Sequence, residues 1–185
     1  VSSEIEKNPF PPEADLLVAF VNTRDVEEGA DAIADPALLR SWIAEHAGEH
    51  LPELEDHDLR RVLELREGLR ALMRANNGGK AGERELESLR AAAERSRYRL
   101  SFGADGNLVL APARADLTGF ESRLLLALER LQCEGLWPRL KACTDEECQW
   151  AFYDSTRNRS RTWCSMDVCG NREKTRRYRQ RKRVP

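Results

Sequence analysis

The sequence predicts an α+β fold that is mainly α: a helical N-terminal domain with one β-hairpin over residues 1–135, then a small metal-organised module over residues 136–185. Three observations predict it. Apolar residues recur at helical spacing in five segments. One stretch, residues 98–110, alternates with period two instead. Four cysteines near the C-terminus fall into two like-spaced pairs, Cys143-x4-Cys148 and Cys164-x4-Cys169. At 185 residues the chain is long enough for one good hydrophobic core and a small appendage.

Residues 1–12 read as a mobile tail ending in Pro11-Pro12. Residues 13–25 read as a short helix with Leu16, Leu17, Phe20 and Val21 on one face, ended by Asn22-Thr23-Arg24-Asp25. Asp35-Pro36, a cap followed by proline in the first turn, opens a helix bearing Leu38, Leu39, Trp42 and Ile43, and Gly48 closes it. His46, His50 and His57 lie nearby with no cysteine beside them and read as surface or packing residues. Asp56 or Asp58 opens the longest helix, whose stripe is Leu59, Val62, Leu63, Leu65, Leu69, Leu72 and Met73; Asn76-Asn77-Gly78-Gly79 stops it. An antiparallel helix over 83–95 carries Leu86, Leu89 and Ala93. Tyr98, Leu100 and Phe102 alternate, Ala104-Asp105-Gly106-Asn107 turns, and Leu108 and Leu110 alternate again, giving the hairpin. Thr118 is read as the cap of a helix over 119–133 with Leu124, Leu125, Leu128 and Leu131 inward. The lone Cys133 is assigned to the core, and a boundary falls near 135–138.

The two cysteine pairs have the layout of a tetrahedral site, each closing a tight turn. The first fourteen residues hold charges and prolines where a secretory leader needs an apolar core. The longest apolar runs, 16–21 and 124–128, are far too short to span a bilayer. A cytoplasmic protein without a membrane partner is therefore the expectation, and in a reducing compartment four thiolates favour one structural Zn2+ over disulfides. An iron–sulfur cluster or four ordinary cysteines are the alternatives. Residues 149–154 and 161–163 read as two strands joined by a basic turn, and a helix follows Cys169 to about residue 183. A cysteine turn, a hairpin and a helix whose first turn supplies the last ligand is the order of a treble-clef-like zinc finger. The thiolates then sit where a helix N-terminus favours negative charge. Gly170 lets the backbone approach sulfur closely. Arg157, Arg161 and Arg172 are candidates to offset the thiolate charge.

The motifs 152–158, 160–166 and Cys169-Gly170-Asn171-Arg172 resemble the CGNR zinc-finger family, whose name spells the last four residues. In that family the finger follows a mostly helical domain called ABATE. Its entry motif resembles Phe20-Val21-Asn22-Thr23, and its Leu-Arg-rich helix resembles residues 65–70; Ala19 stands where that pattern is acidic. The resemblance implies a bacterial, stress-linked transcription regulator that binds DNA through the finger.

Charge points the same way. Residues 156–185 carry a net +9, while 1–155 carry −11, so an acidic body bears a polyanion-binding end. Arg172, Arg176, Arg179 and Arg183 form one helical stripe, with Lys174, Arg177 and Arg181 beside it. Together with Arg157, Arg159 and Arg161 of the finger, Arg172, Lys174, Arg176, Arg179 and Arg183 are the candidate nucleic-acid contacts. DNA is the first reading. RNA is the rival, since Trp150, Trp163 and Tyr178 could stack bases, and a solvated basic tail is the bland one. A second class is a ligand sensor or interaction module, with Asn22, Thr23, Arg24 and Trp42 as a candidate pocket for a small effector; such residues more often cap helices and fill cores. No nucleophile–base pair or phosphate loop is evident, so an enzyme is not expected and no catalytic residue is named. The oligomeric state stays open, a homodimer included.

Overall fold

The computed structural model describes residues 10–183. In chain order these form α1 (Pro12–Val21), α2 (Pro36–Ala47), α3 (Asp56–Ala75), α4 (Glu83–Arg95), β1 (Tyr98–Phe102), β2 (Leu108–Pro112), α5 (Leu117–Cys133), β3 (Leu140–Ala142), β4 (Ala151–Tyr153) and α6 (Asn171–Arg183). None of the described helices is long and apolar enough to cross a membrane. The mainly helical α+β class expected from the sequence is the one observed.

Local chemistry explains most element ends. The Asp35 carboxylate accepts from the Leu38 amide at 2.8 Å, Pro36 occupies the first turn, and Gly48 stops α2 at φ 66°. The Asp58 carboxylate accepts from the Glu55 amide at 3.1 Å and secures the start of α3. Four expectations shift. The tail expected over 1–12 lies outside the described residues for 1–9, and beyond that it is ordered: Phe10 packs its ring 4.6 Å from Tyr153, and α1 begins at Pro12. The cap of α5 is Asp116, whose carboxylate accepts from Gly119 N, while Thr118 accepts from Arg61. Cys133 is exposed rather than core, with Glu129 accepting from its thiol; at the last residue of α5 its direction turns away from Leu131. On α4 it is Ala92, not Ala93, that is buried.

Helix α1 is the hub. It packs on α5, α3 and β4, and Leu17, Phe20 and Val21 are fully buried among Ile43, Leu65, Leu69, Phe120 and Leu124. The same core runs on without a break through Trp137, Leu140, Ala142 and Ala151, so β3 and β4 pack on the helical body as a wall of it.

Two arginines on α3 are buried inside this framework. Arg66 makes a bidentate pair with Asp31 at 2.8 Å for each bond and donates to Thr23 Oγ1 at 3.0 Å. Arg70 donates to Glu67 at 3.0 Å, to the Val21 carbonyl at 2.6 Å and to the Gln149 carbonyl at 2.9 Å. Their planar forks tie α1 and the cysteine-bearing segment to α3. Asparagines complete the tie. Asn22 donates to Ala151 O and accepts from Ala151 N, as a neighbouring strand would do for β4. At the end of α3, Asn76 donates to the carbonyls of Trp137 and Leu140, and Asn77 to those of Ala142 and Thr162.

Candidate metal centre

Strands β3 and β4 pair antiparallel, with Ala142 opposite Ala151, and the loop between them carries the first cysteine pair. Cys143 N donates to Trp150 O, and the amides of Cys148 and Gln149 both donate to Asp145 O, which folds the four-residue gap into a compact knuckle. Gln149 turns the chain back into β4 at φ 53°. The second pair comes from the approach to α6. Cys164 lies before a π-turn over Met166–Gly170 and Cys169 lies within it, two residues before α6 begins.

The four sulfurs lie within 4.8 Å of one another. Cys148 and Cys164 are 3.5 Å apart, and Cys164 and Cys169 3.6 Å. A tetrahedron with Zn–S bonds of about 2.3 Å has edges of roughly 3.8 Å, whereas a disulfide needs about 2.05 Å. The donor set therefore fits one structural zinc, and Cys143, Cys148, Cys164 and Cys169 are the residues that hold it. Burial pushes the Cys148 thiol up to about 12 and the Cys164 thiol higher still, so as free thiols they are protonated at neutral pH and metal uptake releases those protons. Cys169 behaves oppositely. Burial raises it, but the Arg172 guanidinium, 3.4 Å from its sulfur, holds it below the ordinary thiol value.

Arg172 links the centre to the body. It donates to both carboxylate oxygens of Glu27 at 2.8 and 2.9 Å, and its Nε lies 3.1 Å from the buried Asp145. These bonds to Glu27 first, then Cys169, raise its pKa. Arg161 also serves the finger: it donates to the carbonyls of Trp163 and Cys164 and stacks over Phe152. The exposed Arg157 makes no such contact. Sequence reasoning missed Lys141 and Asp154, a buried pair at 2.8 Å. Burial would raise the Asp154 carboxyl, but Lys141, Thr156 and the Arg161 amide hold it at about 2. Lys141 also donates to the carbonyls of Arg159 and Arg161.

That lysine explains a correction. Residues 161–163 form no strand, because Lys141 and Asn77 take their carbonyls, and β4 is paired with β3 instead. The hairpin therefore precedes the basic turn rather than spanning it. Gly170 also differs from expectation: an added Cβ would meet the Met166 thioether at 2.5 Å, not a ligand sulfur.

Among the candidate nucleic-acid residues, Arg161 and Arg172 are turned inward, and Arg176 pairs with Glu173 while lying 3.9 Å from Asp145. Arg157, Arg159, Lys174 and Arg179 are exposed. The Arg183 side chain lies outside the described residues. The four pocket candidates do not meet around one cavity. Trp42 is core, stacked on His46 at 4.3 Å; Asn22 and Thr23 are spent on Ala151 and Arg66. Only Arg24 lines a groove, of about 690 Å³, between α3, α4 and the loop from Arg24 to Asp31.

Thiol accessibility checks this assignment. With zinc bound, one thiol in five per chain is expected to react with a maleimide at neutral pH, and Cys133→Ser should abolish the reaction. The Glu129 hydrogen bond raises the Cys133 pKa, which lowers its thiolate fraction, so Glu129→Gln should speed labelling. Rapid modification of a second thiol with zinc retained would contradict the ligand set.

Two family models match the chain. One, described as "CGNR zinc finger", covers residues 139–182. The other, ABATE, described as "Putative stress-induced transcription regulator", covers residues 14–132. No curated protein matches it.

Proposed function

The chain belongs to the ABATE family and ends in a CGNR zinc finger; from that premise we propose that it is a transcription regulator that grips duplex DNA with the finger and α6. The observation that carries this reading is the outward row of α6. Arg172 and Arg176 face the protein's own carboxylates, Glu27 and Asp145, whereas Lys174, Tyr178 and Arg181, at i, i+4 and i+7, share the face turned away and are exposed. A helix so polar has no face to bury in the core, and polyphosphate is the partner its charge fits. Exposed Arg157 and Arg159 on the finger turn add a second point of contact. The zinc is structural in this reading, since four thiolates leave no open coordination position and nothing beside them resembles a catalytic group. The helical body, with its groove beside Arg24, supplies the regulatory input from a small effector or a protein.

Fluorescence anisotropy with duplex DNA at several salt concentrations tests it. Lys174→Ala with Arg181→Ala should weaken binding to all duplexes alike and lower the salt slope by roughly 2, about 1 per lost phosphate contact. Unchanged affinity and slope would make α6 a solvated tail. Tighter binding to single-stranded RNA, lost with Tyr178→Ala, would transfer the site to RNA.

A further inference from the structure

Five of the ten large apolar side chains that the described residues leave exposed lie on one hairpin, β1–β2. Its register places Tyr98 opposite Pro112, Leu100 opposite Leu110 and Phe102 opposite Leu108, so all six share a single face. The base of that face is anchored: Tyr98 donates to the Ser122 carbonyl, and Arg130 donates to the Leu110 carbonyl. Towards the tip no described residue covers it, and Leu100, Phe102 and Leu108 are 66%, 77% and 61% exposed. Among the described residues the two strands pair only with each other, so neither outer edge has a strand partner, and on that of β2 the Leu110 carbonyl is taken by Arg130. Two strands alone are marginal in water. Such a face and such edges are a liability unless something covers them.

We propose that the occupant is a second copy of this chain, and that the hairpin face is the interface of a homodimer. Area is the first argument. The exposed hairpin side chains offer roughly 500 Å² per copy, against roughly 800 Å² per partner in a standard interface. Both copies together bury roughly 1,000 Å² through these side chains, which is where specific interfaces begin. The second argument is chemical. The face carries no charged side chain, which leaves nucleic acid and charged peptides nothing to pair with, whereas an equally apolar surface complements it. A twofold axis through the tip sets Leu100 and Phe102 of one copy against Phe102 and Leu108 of the other, a self-complementary contact of the isologous kind. The aromatic ring at the centre is the anchor such interfaces use. The interface stands independently of the DNA reading, since it uses no residue of the finger.

Sedimentation equilibrium of the zinc-loaded full chain from roughly 1 to 100 µM should give a mass rising to twice the 21.1 kDa of one chain. Leu100→Ser with Phe102→Asp should raise the dissociation constant about 100-fold, with zinc content and helical circular dichroism unchanged. Phe102→Leu should still dimerise. Hydrogen exchange should slow in residues 98–102 and 108–112 as wild-type concentration rises. A wild-type monomer across the range overturns the proposal, as does a dimer that survives the double substitution or protects amides elsewhere. Flotation of a monomeric wild type with phosphatidylcholine–phosphatidylglycerol vesicles, lost in the double variant, would give the face to a lipid surface and equally overturn it.

Discussion

Removing zinc is expected to unfold far more than the finger. Chelation, or Cys169→Ser, should lower the main thermal transition by more than about 10 °C, because zinc binding to small modules contributes about 10–16 kcal/mol, as much as a whole domain's net stability. The physical reason is the shared core. Leu140, Ala142 and Ala151 on the zinc-held strands pack in one cluster with Leu17, Phe20 and Leu69, so losing the knuckle opens the wall against which α1 rests. Calorimetry with and without chelator, alongside zinc stoichiometry, checks this. A body transition that stays in place while only a small, separate one disappears would show the finger to be an independent appendage.

Arg70→Met is expected to destabilise the fold by about 3–5 kcal/mol, the cost of breaking a buried charge network from one side. The substitution preserves much of the side chain's bulk but strands the carbonyls of Val21 and Gln149 and leaves Glu67 with Arg66 alone. Because Gln149 follows the ligand Cys148, zinc affinity should also fall, by about 10–100-fold. Arg70→Lys should recover less than half of either loss, since one ammonium cannot reach three acceptors in the directions a planar fork does. Urea unfolding and competition with a zinc indicator measure the two effects; a loss under about 1 kcal/mol would mean that water replaces the guanidinium at no great cost.

Much of the framework was legible in the sequence because its signals are local. Asp35-Pro36 and Gly48 bracket α2, residues 83–95 form α4 with those limits, and the change of period at Tyr98 marks the hairpin. The four ligands were legible for the same reason, as spacing within each pair closes a turn. The illegible features all depend on partners far along the chain. Arg66 and Arg70 sit beside Leu65 and Leu69 and read as the polar flank of an amphipathic helix; their acceptors lie 35 and 79 residues away. Lys141 carries no local signal, since no strand is expected at 140–142, and only the loop folded over it shows that it is buried on Asp154. The strand expected at 161–163 failed through the same residue, whose ammonium took the carbonyls a ladder would have used. Of the basic stripe expected on α6, the N-terminal members Arg172 and Arg176 answer to Glu27 and Asp145 rather than to a partner.

The bond pair between Asn22 and Ala151 has a consequence in time as well as in space. It joins residues 129 positions apart, and with it α1, the first of the described helices, closes against β4, the last of the described strands. Contacts of such high sequence separation form late, after the entropy of closing the intervening loop has been met. On the ribosome the end of α1 therefore waits: α3 and α5 can cover most of its apolar face as they emerge, but Asn22 stays without Ala151 until the cysteine knuckle has followed it out. Metal capture and completion of the N-terminal half then become one step, and a chain cut short before residue 151 leaves its opening helix without the partner that fixes its end.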